Sequence, residues 1–233
     1  MNKEYQQWRE QILKFFDPKN IESESKAYYS PSKDFSLSIE KYKTGENTWN
    51  FSRGIVKNTK SGKIVADIKR NYAHFWHTWC QHNNGNEYLL CGEDYQGQTI
   101  VNLTKETVAN YFPEEGYKGA GFCWATTYPS PDSNVLAVEG CYWASNFEIV
   151  FFDFTEPDNL PYKEIRRIWN ILDVKGWNDN GIFVVEQEIE IRKSDGVPYD
   201  ELTEEEQDAL DNGEEKTSYR IDTLKIDINE LLN

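Results

Sequence analysis

The only three histidines, His74, His77 and His82, lie within the nine-residue run HFWHTWCQH, with Cys80 among them. Imidazole and thiolate are both zinc ligands. On a strand, alternation puts His74, Trp76, Thr78, Cys80 and His82 on one face. His74 and Cys80 are then about 20 Å apart and cannot share an ion. Cys80 and His82, separated by about 7 Å, are the weak metal candidates and need further ligands from elsewhere. The plainer reading is a buried aromatic strand with hydrogen-bonded histidines at its ends, so no metal is expected. A second set, Glu93, Asp94 and Glu148, has the carboxylates for acid–base work or calcium. No DxDxDG run accompanies them, and two acidic neighbours in the Gly-flanked GEDYQG loop read most simply as a turn.

No GxSxG, Walker loop, GxGxxG after a strand or HExxH occurs, so no catalytic residue is identified and no cofactor is expected. What is abundant is aromatic: 8 Trp, 14 Tyr and 12 Phe in 233 residues. Such a chain buries enough surface to offset the entropy of ordering and should fold. No apolar run reaches the length of a membrane span, and the polar N-terminus does not look like a secretion signal, so the expectation is a cytoplasmic protein that meets no membrane. Four widely spaced cysteines without CxxC fit free, buried thiols.

The net charge of −15 is local. Ten acidic and no basic residues lie between Asp195 and Glu215, and the remainder holds 25 basic against 30 acidic residues, a net of −5. Nucleic acid, which requires clustered Lys and Arg, is not an expected partner.

The elements that position these residues follow from periodicity. Tyr5, Trp8, Ile12 and Phe15 recur at helical spacing, so residues 3–16 read as a helix that Asp17-Pro18 ends. The polar KNIESESK that follows reads as a linker, giving a helix and linker over 1–29. From about residue 30 to 233 the period is two, and a single mostly-β domain with internal self-similarity is expected. Gly85, Ser133 and Gly181 occupy matching turns, 48 residues apart in both steps. Gly92 matches Gly140, and Tyr95 matches Trp143. Leu90, Val138 and Val184 are expected at equivalent buried positions. A fainter copy starts at Pro31, and the fourth is interrupted by an acidic insert at about 195–216. Within the insert, Thr203 and Glu206 make a capping box and Gly213 a helix stop.

Ser130-Pro131-Asp132, Leu136-Ala137-Val138 and Glu148–Phe154 together resemble a β-propeller blade, in which an SPDG-like turn joins the innermost strand to the second. The WD dipeptide is absent, so this is not a standard WD40 array. The resemblance implies four antiparallel units of about 48–50 residues in a small propeller-like domain, with a β-sandwich or open barrel as the alternative. It also implies that loops between second and third strands share one face with the segments entering the inner strands. That gathers Tyr72, Trp76, Tyr95, Trp124, Tyr142 and Trp143, although Trp76 and Trp124 are better read as packing between blades. The expected binding residues are Glu93, Asp94, Tyr95, Tyr142 and Trp143. The leading functional expectation is a non-enzymatic domain offering an aromatic, acidic face to a protein partner, possibly a basic one, as an immunity protein does. The alternatives are a carbohydrate- or small-ligand-binding domain or hydrolase with a site in a central funnel, and last a metal-binding protein.

Overall fold

The turn that each sheet shares sets the architecture. In the computed structural model, which describes residues 3–213 and 216–232, sixteen strands form four antiparallel sheets. The first holds β1 (Ile21–Glu24), β2 (Tyr28–Tyr29), β3 (Phe35–Tyr42), β4 (Phe51–Asn58) and β5 (Ile64–Arg70). The second runs β6 (Thr78–Gln81), β7 (Glu87–Cys91), β8 (Gln98–Asn102) and β9 (Thr107–Tyr111). The third runs β10 (Cys123–Pro129), β11 (Val135–Cys141), β12 (Glu148–Asp153) and β13 (Glu164–Ile168). The fourth has three strands, β14 (Ile171–Trp177), β15 (Ile182–Arg192) and β16 (Thr217–Asp227). The fold is therefore mostly β and propeller-like, with an N-terminal helix, α1 (Lys3–Ile12).

Before β3, β7, β11 and β15, one residue takes a left-handed backbone: Lys33, Gly85, Ser133 and Gly181. Each donates its N–H to the carbonyl three residues earlier, on Ser30, His82, Ser130 and Asn178. The side chain at that earlier position then turns back onto the chain. Ser130 Oγ accepts from Val135 N at 3.0 Å, Asn178 Oδ1 from Ile182 N at 3.1 Å, and His82 Nδ1 from Asn84 N at 3.1 Å. Polar side chains serve the first position because they can make this local bond. Glycine suits the left-handed one because it has no Cβ to clash.

Three apolar seams join the sheets in sequence. Leu37, Val56 and Ile68 pack with Leu89 and Val101 between the first and second. Leu90 and Ile100 pack with Trp76, Trp124, Leu136 and Val138 between the second and third. Ala137, Ile149 and Phe151 pack with Phe183, Val185 and Ile226 between the third and fourth. β7 and β11 therefore bury both faces, and their near-continuous apolar runs follow from that. Among the described residues no apolar cluster joins the fourth sheet to the first. The faces they would use are charged. On the first, Arg53 bonds Asp67 at 2.7 Å and pairs with Glu40 at 3.3 Å. On the fourth, Lys175 pairs with Asp173 and Glu186. The first and fourth sheets thus each turn a charged face to solvent.

Four expectations need correction. The stretch read as a linker contains β1, a solvated edge strand paired to β3; its polar side chains give no apolar period. The helix expected to residue 16 is α-helical only to Ile12, and a 3-10 turn over Leu13–Phe15 follows. The strand expected from His74 to His82 is only Thr78–Gln81, with His74 and His77 in the connection before it and His82 in the turn after it. Leu90 and Val138 sit five residues past their turn residues and are buried, but that position in the fourth sheet is Glu186. Val184 is half-buried opposite Lys225, on the polar outer face.

The acidic insert forms the helix α2 (Glu204–Asp211) with the Thr203–Glu206 capping box in place. Its buried apolar side chains, Leu202 and Leu210, belong to none of the seams. Replacing 198–214 by a short Gly-Ser bridge should therefore change stability by no more than about 1 kcal/mol, measured by urea unfolding. Loss of the near-UV circular dichroism on deletion would show that the insert supports the core.

Candidate functional site

The site is built on three consecutive residues at the end of β5. Ala66, Ile68 and Arg70 share the buried face of that strand, so alternation carries a guanidinium into the first seam. Arg70 is 2% exposed. It donates to three backbone carbonyls: His74 at 2.8 Å, and Gly92 and Asp94 at 2.7 Å each. Burial lowers its pKa to about 10, and the neighbouring Asp94 charge opposes that shift. Gly92 is required here, since a Cβ would stand 2.5 Å from Gly97 O and 3.0 Å from Arg70 Nη1.

Asn71 is the next contact. Its Nδ2 donates to Asp94 Oδ2 at 2.6 Å, its Oδ1 accepts from Tyr95 N at 3.0 Å, and its carbonyl accepts from Trp49 Nε1 at 3.0 Å. Tyr72 follows, with its ring 5.9 Å from the Arg70 guanidinium carbon and its carbonyl held by Ser52 Oγ at 2.6 Å. Arg70, Asn71 and Tyr72 thus tie the β3–β4, β5–β6 and β7–β8 connections together.

Four rings stand over this base. Trp49 lies 6.1 Å from Tyr72, Tyr72 lies 6.4 Å from Tyr95, Tyr95 lies 6.2 Å from Trp143, and Trp143 lies 6.3 Å from Trp49. These are ordinary spacings for interacting aromatics. Trp143 is 61% exposed and Trp49 51%, whereas Tyr95 is half-buried. A cleft of about 570 Å³ between α1 and this group is lined by Trp8, Phe15, Trp49 and Tyr95, among others. Phe147 and Trp169 are exposed on neighbouring loops of the same end. Ile171 N–H bonds Phe147 O and Glu188 N–H bonds Asn170 O, so the β15–β16 hairpin rises from this end and carries the acidic insert at its tip.

The expected residues divide. Tyr95 and Trp143 meet, as their matched positions suggested, and Tyr72 joins them. Tyr142 belongs to a separate group, with Phe122 at 5.4 Å and the Arg167 guanidinium at 5.7 Å. Trp76 and Trp124 pack 6.0 Å apart inside the second seam. Glu93 and Asp94 are not exposed acceptors. Glu93 is ion-paired with Arg9 and pins α1 to the second sheet. Asp94, 2% exposed, accepts from Asn71 and from Gln96 N. Burial raises both carboxyl pKa values above their usual range. Glu148 is buried and bonded to Arg167 at 2.5 Å. The two weak metal candidates are also engaged. His82 Nε2 bonds Phe154 O at 2.9 Å while its Nδ1 accepts a backbone N–H. Burial pushes the Cys80 thiol up to about 12. Among the described residues no group of three or more His, Cys, Asp or Glu is placed to hold a metal.

Arg9, Trp49, Arg70 and Asn71 went unidentified in the sequence. Arg70 left a signal, a charge on the apolar phase of KIVADIKRN. Trp49 left none, because the polar TGENTW loop has no period.

The chain matches no protein-family model. It is 38% identical over 152 residues to the uncharacterized protein R762 of Acanthamoeba polyphaga mimivirus, covering 64% of this chain and 59% of that one. The chain thus spans about three-fifths of the length of the curated relative it matches. Among solved structures it is similar to hydrazine synthase of Kuenenia stuttgartiensis at a TM-score of 0.41 and 14% identity, over 70% of this chain and 43% of that one. It is also similar to the Swd1 β-propeller domain of Myceliophteria thermophila at a TM-score of 0.40 and 10% identity, over 68% and 48%. Prolyl oligopeptidase B of Galerina marginata gives a TM-score of 0.35 and 11% identity, over 72% and 25%. Among the described residues no helix is long and apolar enough to cross a membrane.

Removing the Arg70 guanidinium leaves three carbonyls and a buried carboxylate without their cation. Arg70→Ala should cost about 3–5 kcal/mol. Arg70→Lys should recover only part of that loss, because an ammonium lacks the planar fork that spans His74 O and Gly92 O. Chemical denaturation of the two variants checks this; an Arg70→Lys protein as stable as wild type would contradict it.

Proposed function

We propose that this chain is a non-enzymatic protein-interaction domain whose contact surface is the aromatic loop face. The observation that carries the reading is the group Trp49, Tyr72, Tyr95 and Trp143, held from below by Arg70 and Asn71 and open to solvent at its two indoles. Indole and phenol rings fixed by a buried polar base lose little conformational entropy on contact, which is why they dominate interface hot spots. Exposed Phe147 and Trp169 extend the apolar area beyond what scattered surface residues supply.

The acidic element of the face is the insert on the β15–β16 hairpin, not Glu93 and Asp94, which are turned inward. The described carboxylates of the insert, carried on the hairpin that rises from this end, suit a partner with an apolar anchor and a basic surround. Such a charge pattern raises the association rate and makes it sensitive to salt. The face can neutralise or escort a basic protein, as an immunity protein does. Glu93, Asp94 and Glu148, the carboxylates that acid–base chemistry would use, favour binding over hydrolysis, since each already has a protein partner.

The small-ligand reading has one observation in its favour. A cleft of about 650 Å³ lies among β2, β6 and β10, lined in part by Tyr28, His74, His77, Thr78 and Thr126. Binding there would be indifferent to the indoles of the loop face.

Trp143→Ala and Trp49→Ala in the full chain should unfold within about 1 kcal/mol of wild type, because both rings are more than half exposed. Each should weaken binding to the co-purified partner by about 2 kcal/mol or more in titration calorimetry. Tyr95→Ala should also lose stability, since the ring is half-buried. Full affinity in both tryptophan variants would refute the loop face as the contact surface.

A further inference from the structure

The fourth sheet ends on β16, and among the described residues no strand lies outside it. The outer strands β5, β9 and β13 have 7, 5 and 5 residues, and β16 has 11, with no bulge in its pairing and no proline. Natural sheets blunt such edges by shortening, bulging, proline or charge, because unpaired N–H and C=O groups are a template for another strand. Of these β16 has only charge, and its Arg220 and Asp222 neutralise each other along the strand.

The ladder fixes which groups are free. Lys193 N–H bonds Lys216 O at 2.8 Å at one end, and Ile228 N–H bonds Gly181 O at 3.0 Å at the other. Antiparallel pairing alternates between bonded and non-bonded sites, so Ser218, Arg220, Asp222, Leu224 and Ile226 face β15. The backbone groups of Thr217, Tyr219, Ile221, Thr223 and Lys225 point to the open edge. Tyr219 is 64% and Ile221 61% exposed, and they share one face of the strand with Thr223.

We propose that β16 pairs with β16 of a second copy of this chain, antiparallel about a twofold axis through Ile221. The side chains select that register. With the axis at Ile221, Arg220 stands opposite the second copy's Asp222 at a non-bonded site, where side chains approach most closely. Tyr219 stands opposite Thr223, and Ile221 opposite itself. In the single chain Arg220 Nε bonds Asp222 Oδ1 at 2.7 Å along the strand and Nη1 donates to Gly196 O at 3.3 Å, so association exchanges the ion pair for an equivalent one and gives up at most the longer bond. Such an interface is isologous and closes at two copies. The antiparallel arrangement puts the acidic inserts at opposite ends, each base beside the other copy's Lys225, and points the two aromatic loop faces in opposite directions. Both faces stay open in the pair, so this inference stands apart from the loop-face reading.

Sedimentation velocity of the full chain from roughly 1 to 300 µM, the range in which small interfaces associate, tests it. Wild type should double in mass with concentration. Arg220→Asp and Asp222→Arg each place like charges at the paired sites, and each should weaken self-association at least about tenfold. An equimolar mixture of the two variants makes both sites complementary again and should regain the double mass. Far-UV circular dichroism of each variant establishes that it is folded. Trp143→Ala should associate as wild type does. A wild-type chain that remains monomeric throughout overturns the proposal. So does a dimer that both charge variants leave unchanged, or folded variants whose mixture stays monomeric. Loss of the dimer in Trp143→Ala would place self-association on the loop face instead.

Discussion

The loop face depends on one buried cation. The Arg70 guanidinium lies in the seam between the first two sheets and satisfies carbonyls from two separate connections. A loop carbonyl withdrawn from water needs a partner, and a buried guanidinium needs several acceptors, so each justifies the other's position. Asp94 supplies the negative charge, and Asn71 converts this fixed base into positions for Tyr95 and Trp49. The rings over that base are consequently oriented by hydrogen bonds to the backbone and not by burial of the rings alone.

A second constraint acts on the order of the sheets. Each middle sheet is apolar on both faces, while the first and fourth are apolar on one face and charged on the other. The four sheets therefore stack in sequence. α1 covers one end of the first sheet, with Ile12 and Phe16 against Tyr42 and the Arg9–Glu93 pair reaching the second sheet. The long β15–β16 hairpin leaves the fourth sheet and lifts the charge of the molecule away from the seams.

The sequence made the period-two strands, the matched turns and the capped insert helix legible, because each is a local property. Ser133 and Gly181 could be aligned with Gly85 since a left-handed turn restricts residue choice wherever it occurs. Lys33 performs the same turn with a residue that gives no such signal. The Tyr95–Trp143 contact was foreshadowed by equal offsets in two loops. The inward turn of Asp94 and Glu93 was not, since their partners, Asn71 and Arg9, are 23 and 84 residues away. An acidic pair in a glycine-flanked loop looks solvated until a buried arginine is placed beneath it. β1 was missed for the opposite reason: its pairing is entirely backbone, and its side chains are polar.

The aromatic loop face and the open β16 edge give the molecule two surfaces of different chemistry, one set by oriented rings and one by unpaired backbone. On the first, the Arg70–Asn71 base holds the loops in place before any partner arrives. Amide hydrogen exchange of the free chain tests this most directly. The Tyr95 N–H, bonded to Asn71 Oδ1, should exchange slowly in wild type. In Asn71→Ala it should exchange much faster, while amides of Leu89 and Ile100 in the neighbouring ladder keep their protection. A Tyr95 amide that exchanges at the rate of an open loop in the wild-type chain would contradict the account.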